Sequence, residues 1–154
     1  MVESVPAPQD QADLEQVEKY EFTVRFPGSL HPPLVVDEPA PVGANRGPDP
    51  VQVLAAAVGH CMSSTLFNTL ERAHVPSTPF HTTVRTEVGL NANGRRRVLS
   101  MALTIEAAPV NENDRERFQH CVSIFEDFCT VSGAVREGVK ISAAVRPRLD
   151  IPPA

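Results

Sequence analysis

Asp49-Pro50-Val51-Gln52-Val53-Leu54-Ala55-Ala56-Ala57-Val58-Gly59-His60-Cys61 is the stretch whose reading decides the fold. An aspartate can accept hydrogen bonds from the free amides of a first helical turn, and proline is tolerated at the first helical position, where an amide has no partner. The segment therefore predicts a helix from about Pro50 to about His74, stopped by Pro76. Its middle, Leu54 to Gly59, is apolar and small, which predicts a helix buried on most sides and closely approached by other backbone. Past Gly59 the composition turns polar, with His60, Ser63, Ser64, Thr65 and Asn68 around Cys61.

On the N-terminal side, residues 37–50 form a Pro- and Gly-rich connection. Before it, Leu34-Val35-Val36 predicts a short strand. Tyr20, Phe22, Val24 and Phe26 alternate with Glu21, Thr23 and Arg25, which predicts a half-buried strand ended by Pro27-Gly28. Residues 1–18 hold few large apolar groups and are expected to form a loose tail, with order beginning at Lys19. On the C-terminal side, Val84 to Leu90 and Leu99 to Ile105 alternate as two strands around the turn Asn91-Ala92-Asn93-Gly94. From Asn113-Asp114, a helix is expected with Phe118, Cys121, Val122, Phe125, Phe128 and Cys129 on one stripe. A short helix near Val131–Arg136 should stop at Gly138, and Val139, Ile141, Ala143 and Val145 predict a last strand. The order β-β-α-β-β-α-α-β lacks regular alternation. It predicts an α+β fold with an antiparallel sheet, as one domain over residues 19–148 with a short tail at 149–154.

Composition narrows the function classes. The chain has 154 residues with a net charge of −5, which argues against a general nucleic-acid binder. The longest strongly apolar run, Val53–Val58, is far shorter than a membrane span needs, and Met1-Val2-Glu3-Ser4-Val5-Pro6 has neither the basic start nor the apolar core of a signal peptide. Three cysteines make an odd and sparse set, unlike a secreted disulfide scaffold, so a reducing, cytoplasmic setting is expected.

The cysteines carry the chemistry. Cys61 lies in the polar part of the long helix, where a neighbouring donor would raise its reactive thiolate fraction; its bland alternative is a small apolar filler. Cys129 lies at a helix end, where a thiol can be partly exposed, and a reactive thiol beside a resolving one is the pattern of a redox pair. Packing on the apolar stripe is the alternative there. Cys121, between Phe118 and Phe125, reads as structural. His60-Cys61 and His120-Cys121 do not make a zinc site, because adjacent helical residues diverge and no Cys-x-x-Cys or His-Glu-x-x-His is present. Arg95-Arg96-Arg97 follows a hairpin turn without interleaved aromatics and reads as a solvated hairpin end.

Asp37-Glu38-Pro39, then Gly47-Pro48-Asp49-Pro50, then a small-residue helix leading to Gly59-His60-Cys61 resembles the OsmC/Ohr family of organic hydroperoxide reductases. Phe125-Glu126-Asp127-Phe128-Cys129-Thr130-Val131-Ser132 resembles that family's second cysteine segment. The resemblance spans about residues 19–146. It implies an intertwined homodimer with active sites at the subunit interface, Cys61 as the peroxidatic and Cys129 as the resolving cysteine. It also implies an external dithiol reductant rather than a bound cofactor, and an apolar pocket favouring organic hydroperoxides. Two positions depart from the pattern. The family's activating glutamate, ten residues before the first cysteine, is Val51 here, followed by Gln52, which can hydrogen-bond but carries no charge. The family's arginine motif is also absent. Arg25, on the polar face of the first strand, is the foremost substitute, with Arg46 behind it. A second reading is a non-catalytic dimer that binds a small apolar or electrophilic ligand, with Cys61 as sensor or pocket residue. A third is a cysteine-nucleophile hydrolase or thiol transferase.

Overall fold

A computed structural model describes residues 11–147. The expected tail at 149–154 and the first ten residues lie outside that range. Three antiparallel strands, β1 (Asp13–Glu18), β2 (Glu21–Arg25) and β3 (Leu34–Val36), form a first sheet in the order β1-β2-β3. Order thus begins earlier than Lys19. Asp13 to Gln16 pair with Arg25 to Phe22 through a turn in which Lys19 takes a φ of 50° and its carbonyl accepts from Gln16 Nε2 at 2.7 Å. All six β1 residues are exposed, so ladder hydrogen bonds rather than apolar burial hold this strand. A sequence argument built on burial misses such a strand.

Residues 37–49 fold around one carboxylate. Asp37 is buried, and its oxygens accept from the backbone N–H groups of Glu38, Ala44 and Arg46 at 2.8, 3.0 and 3.1 Å. Burial pushes its pKa up. The three amides, with the nearby Arg46 charge, outweigh that and hold it below the usual carboxylate range. Gly47 passes so close to β3 that a Cβ there would sit 2.1 Å from the Val35 carbonyl oxygen.

This connection delivers Asp49 to the start of α1 (Pro50–Arg72). Asp49 Oδ1 accepts from Gln52 N at 2.8 Å, and Gln52 Oε1 accepts from Asp49 N at 3.0 Å, a reciprocal cap. Contrary to the expectation of burial on most sides, α1 buries one stripe, Val58, Met62, Leu66 and Leu70, joined by Gly59, while Ala56 and Ala57 are exposed. By length and composition alone α1 would suit a membrane span. Its stripe instead packs on protein: Val75, Cys121, Phe125 and Cys129, flanked by Phe80, Met101, Leu103 and Ile105.

The second sheet is the hairpin of β4 (His81–Leu90) and β5 (Arg96–Glu106), paired from His81↔Glu106 to Leu90↔Arg96 with a one-residue register shift between Glu87↔Ser100 and Val88↔Val98. Both strands run longer than the alternation predicts. The Asn91 side chain closes the turn by accepting from Asn93 N and Arg95 N, each at 3.0 Å, and Arg95–Arg97 are exposed as expected. Next come α2 (Arg115–Ile124) and α3 (Thr130–Glu137), which ends at Gly138 with φ 80°. Arg117 ties the start of α2 to the body, pairing with Asp114 and donating to the Ala73 carbonyl at 3.2 Å.

Two expectations fail here. The stripe from Phe118 to Cys129 is not one helix, because Phe125–Phe128 tighten into a 3₁₀ turn. The backbone departs from α geometry at both ends of that turn, with φ −119° at Ile124 and ψ 109° at Cys129, and the facing changes with it: Cys121, Phe125 and Cys129 are buried, while Val122 and Phe128 are exposed. The segment Val139–Val145 is not a strand. It has the alternation but no strand edge beside it among the described residues, and Val139, Ile141 and Val145 stand exposed.

Candidate active site

The i,i+4 stripe of α1 fixes where Cys61 points. It sits one position before Met62, at the margin of the core, and is half-buried. The 3₁₀ turn brings Cys129 in from the other side and makes it the residue that opens α3. The two sulfurs lie 2.9 Å apart, and both thiols are free. A disulfide bond is about 2.05 Å long, so a shift of under about 1 Å closes it. The N–H of Val131, in the first turn of α3, donates to Cys61 Sγ at 3.4 Å. A helix N-terminus therefore faces the pair, with an amide aimed at the sulfur, and both favour negative charge there.

Cys129 is buried, which pushes its pKa up. Its contact with Cys61 Sγ, the hydroxyl and N–H of Ser132 and the Thr65 hydroxyl reverse that, so the net direction is downward. The Ser132 hydroxyl is itself buried and has no other partner among the described residues. Cys121 behaves as read from sequence. It is buried in the core, its thiol reaches only the Thr69 carbonyl at 3.8 Å, and desolvation pushes its pKa up.

Cys61 opens into a cleft of 1020 Å³ between α1, the loop after β2 and the start of α3. Phe26, Pro27, Ala57, Phe128 and Val131 give it apolar walls, and Ser29, His31, His60, Ser64, Thr65 and Asn68 give it polar groups. Much of the polar run on α1 satisfies itself. Thr65 Oγ1 donates to the Cys61 carbonyl and Ser63 Oγ to the Gly59 carbonyl, each at 2.8 Å, and Ser64 Oγ meets His60 Nε2 at 3.3 Å.

The structure joins Cys61 and Cys129 but not the two support residues read from sequence. Gln52 caps α1 about two and a half turns before Cys61 and lines a different hollow, with Ala56 and Phe80. Arg25 is exposed at the end of β2 opposite Asp13 and does not line the cleft. Arg46 pairs with Glu21 at 3.1 Å. Sequence reasoning missed His31 and Ser29, which carry no motif and share the cleft with Cys61 only through the fold, and the Val131 amide, which leaves no trace in a sequence; Phe128, read there as part of the apolar stripe, lines the cleft instead.

Paired free thiols on a helix-and-sheet scaffold, one opening into a cleft and one behind it, define a two-cysteine α+β protein. The chain belongs to the OsmC family, whose model, described as OsmC-like protein, matches residues 43–144. Solved structures agree in fold. An OsmC-like protein of unknown function from Vibrio cholerae superposes with a TM-score of 0.69 at 13% identity, over 80% of this chain and 91% of that one. An organic hydroperoxide resistance protein from Elizabethkingia anophelis gives 0.60 at 19%, over 82% and 89%. An organic hydroperoxide resistance protein OsmC from Legionella pneumophila gives 0.58 at 16%, over 84% and 92%. No curated protein matches the sequence.

Proposed function

We propose that this protein is a cysteine-based peroxidase that reduces organic hydroperoxides. The observation that carries the reading is the 2.9 Å sulfur pair at the foot of a partly apolar cleft. Cys61, the sulfur that faces the cleft, attacks as thiolate. An S–O bond forms, the O–O bond breaks, and alkoxide leaves and is protonated to alcohol, so Cys61 becomes a sulfenic acid. Cys129 then displaces water from that sulfenic acid to give the disulfide. An external dithiol restores both thiols, with no bound cofactor, as a reducing cytoplasm would allow. The apolar walls match the organic part of such a substrate. Relatives of similar fold described as organic hydroperoxide resistance proteins support the same theme.

The working unit in this proposal is a homodimer. Val139, Ile141 and Val145 are exposed along a segment that joins no strand among the described residues, and Leu90, Leu99 and Val122 are also exposed. A second copy would give that segment a strand edge and cover these groups.

The cleft holds no carboxylate or guanidinium among the described residues. That observation favours the alternative, a dimer that binds a small apolar or electrophilic ligand without turnover. Treating the reduced protein with one equivalent of cumene hydroperoxide separates the two. Loss of two hydrogens, mapped by peptide mass spectrometry to Cys61 and Cys129 within seconds, is the expected result. No oxidation over minutes would put the binding protein ahead.

A further inference from the structure

A thiolate that splits an O–O bond must shed an alkoxide, and something must protonate it. The cleft around Cys61 narrows the choice. Among the described residues that line it, no Asp, Glu, Lys or Arg occurs, and His31 and His60 are the only side chains besides the Cys61 thiol of a kind that serves as general acid or base. Cys129 lies behind Cys61, and the other polar groups lining the space are the hydroxyls and amides of Gln11, Ser29, Ser64, Thr65 and Asn68.

The two histidines are placed differently. His60 sits on the same helix as Cys61, and its Nε2 meets Ser64 one turn on, at 3.3 Å. His31 comes from the loop after β2 and lines the same cleft as Cys61 from a different element. Its ring is held on two sides. Nδ1 lies 2.7 Å from Ser29 Oγ, and Phe26 packs edge to face at 5.9 Å between centroids. Ser29 Oγ also accepts from the His31 backbone N–H at 3.3 Å. A hydroxyl can donate to Nδ1 of a neutral ring and accept from Nδ1–H of a charged one, so Ser29 serves both protonation states. Nε2 is left as the ring nitrogen without a partner among the described residues.

We infer that His31 is the proton donor for the leaving alkoxide. This inference rests on the peroxidase reading above. The S–O bond forms at the terminal peroxide oxygen as the O–O pair departs on the alkoxide. The imidazolium of His31 gives its Nε2 proton to that oxygen, releasing alcohol and neutral His31. The ring regains its proton from solvent before the next turnover. The peroxide is reduced by two electrons and Cys61 is oxidised by the same two. The requirement for charged His31 and ionised Cys61 makes the rate bell-shaped in pH, with a limb that falls on the alkaline side and belongs to the histidine.

The test follows single-turnover disulfide formation with cumene hydroperoxide, by quenched-flow mass spectrometry from pH 5 to 9. It compares wild type, His31→Gln, His31→Ala, His60→Gln and Arg25→Ala. His31→Gln is expected to slow the reaction about 100-fold at pH 6 and to lose the alkaline fall, as removal of a general acid does. Free imidazole should restore part of the rate in His31→Ala, while His60→Gln retains the alkaline fall whatever its rate. Iodoacetamide labelling of Cys61 should be the same in wild type and His31→Gln, which separates a lost proton donor from a disturbed thiol. If wild type reacts and His31→Gln follows the same profile, the role of His31 is overturned and the peroxidase reading stands; a large loss in Arg25→Ala would then point to a guanidinium brought by a second copy. If wild type itself forms no disulfide at any pH, both readings fall.

Discussion

The sulfur of Cys61 takes its surroundings from backbone as much as from side chains, since a Val131 amide and a second sulfur are its nearest polar partners. Cys61→Ser should abolish both disulfide formation and turnover, read by peroxide consumption with a dithiol donor. Cys129→Ser should allow one peroxide per chain and accumulate a sulfenic acid on Cys61, detectable by dimedone adducts; unchanged multiple turnover would remove Cys129 from the cycle. The Cys61 sulfur, the Ser132 hydroxyl and amide and the Thr65 hydroxyl outweigh burial at Cys129, so that thiol carries negative charge at lower pH than a free one. Cys121, shifted upward by burial, should label only when the chain unfolds. Spacing alone left apolar packing open for Cys61 and for Cys129; the resemblance of their two segments to a cysteine-pair family is what joined them, and the structure sets their sulfurs 2.9 Å apart. The failure of Gln52 and Arg25 to reach them was not legible in the sequence, because it depends on how a cap is used and where a loop returns.

At the scale of elements, the short 3₁₀ turn at Phe125–Phe128 matters more than its length suggests. A continuous α-helix would have kept Phe128 on the buried stripe. The break after the 3₁₀ turn, where Cys129 leaves helical backbone with ψ 109°, leaves Phe128 at the cleft wall and sets Cys129 against Cys61. Periodicity does not locate that break, since the apolar spacing from Phe118 to Cys129 runs on through it. The helix start was legible, because Asp49-Pro50 and Gln52 are chemistry that belongs to a cap. Asp49→Ala should destabilise the chain by about 1 kcal/mol in denaturant melts. The loop around Asp37 adds a pH dependence. A carboxylate with a lowered folded pKa contributes stability above its unfolded value, and that contribution is lost as pH falls through the folded one. Wild type should therefore lose thermal stability below about pH 4 more steeply than Asp37→Asn, which should be less stable at pH 7.

At the scale of the whole molecule, the two sheets share little core. Val24 is the only buried apolar residue of the first sheet, whereas the second packs on α1 and α2. The α+β class and the antiparallel pairing followed from alternation and turn chemistry. The last strand did not materialise, because alternation describes a strand's faces and says nothing about whether a neighbouring edge exists. Under the dimer proposal, Ile141→Lys should shift the sedimenting species toward monomer and lower thermal stability, whereas a charge at the exposed hairpin end, Arg96→Glu, should do neither. Identical sedimentation of Ile141→Lys and wild type would count against a partner strand at this segment.

Cys61 is half-open to the cleft while Cys129 is shut behind it. Once the two are joined, an incoming thiol can reach only the Cys61 sulfur. Exchange would proceed through a mixed disulfide at that residue, with Cys129 as the leaving group. Cys129 suits the part, since a thiol whose pKa is drawn down departs more readily. The order of burial along one sulfur–sulfur axis thus gives the recycling half of the reaction a direction: oxidant and reductant enter by the same door, and the inner cysteine meets neither.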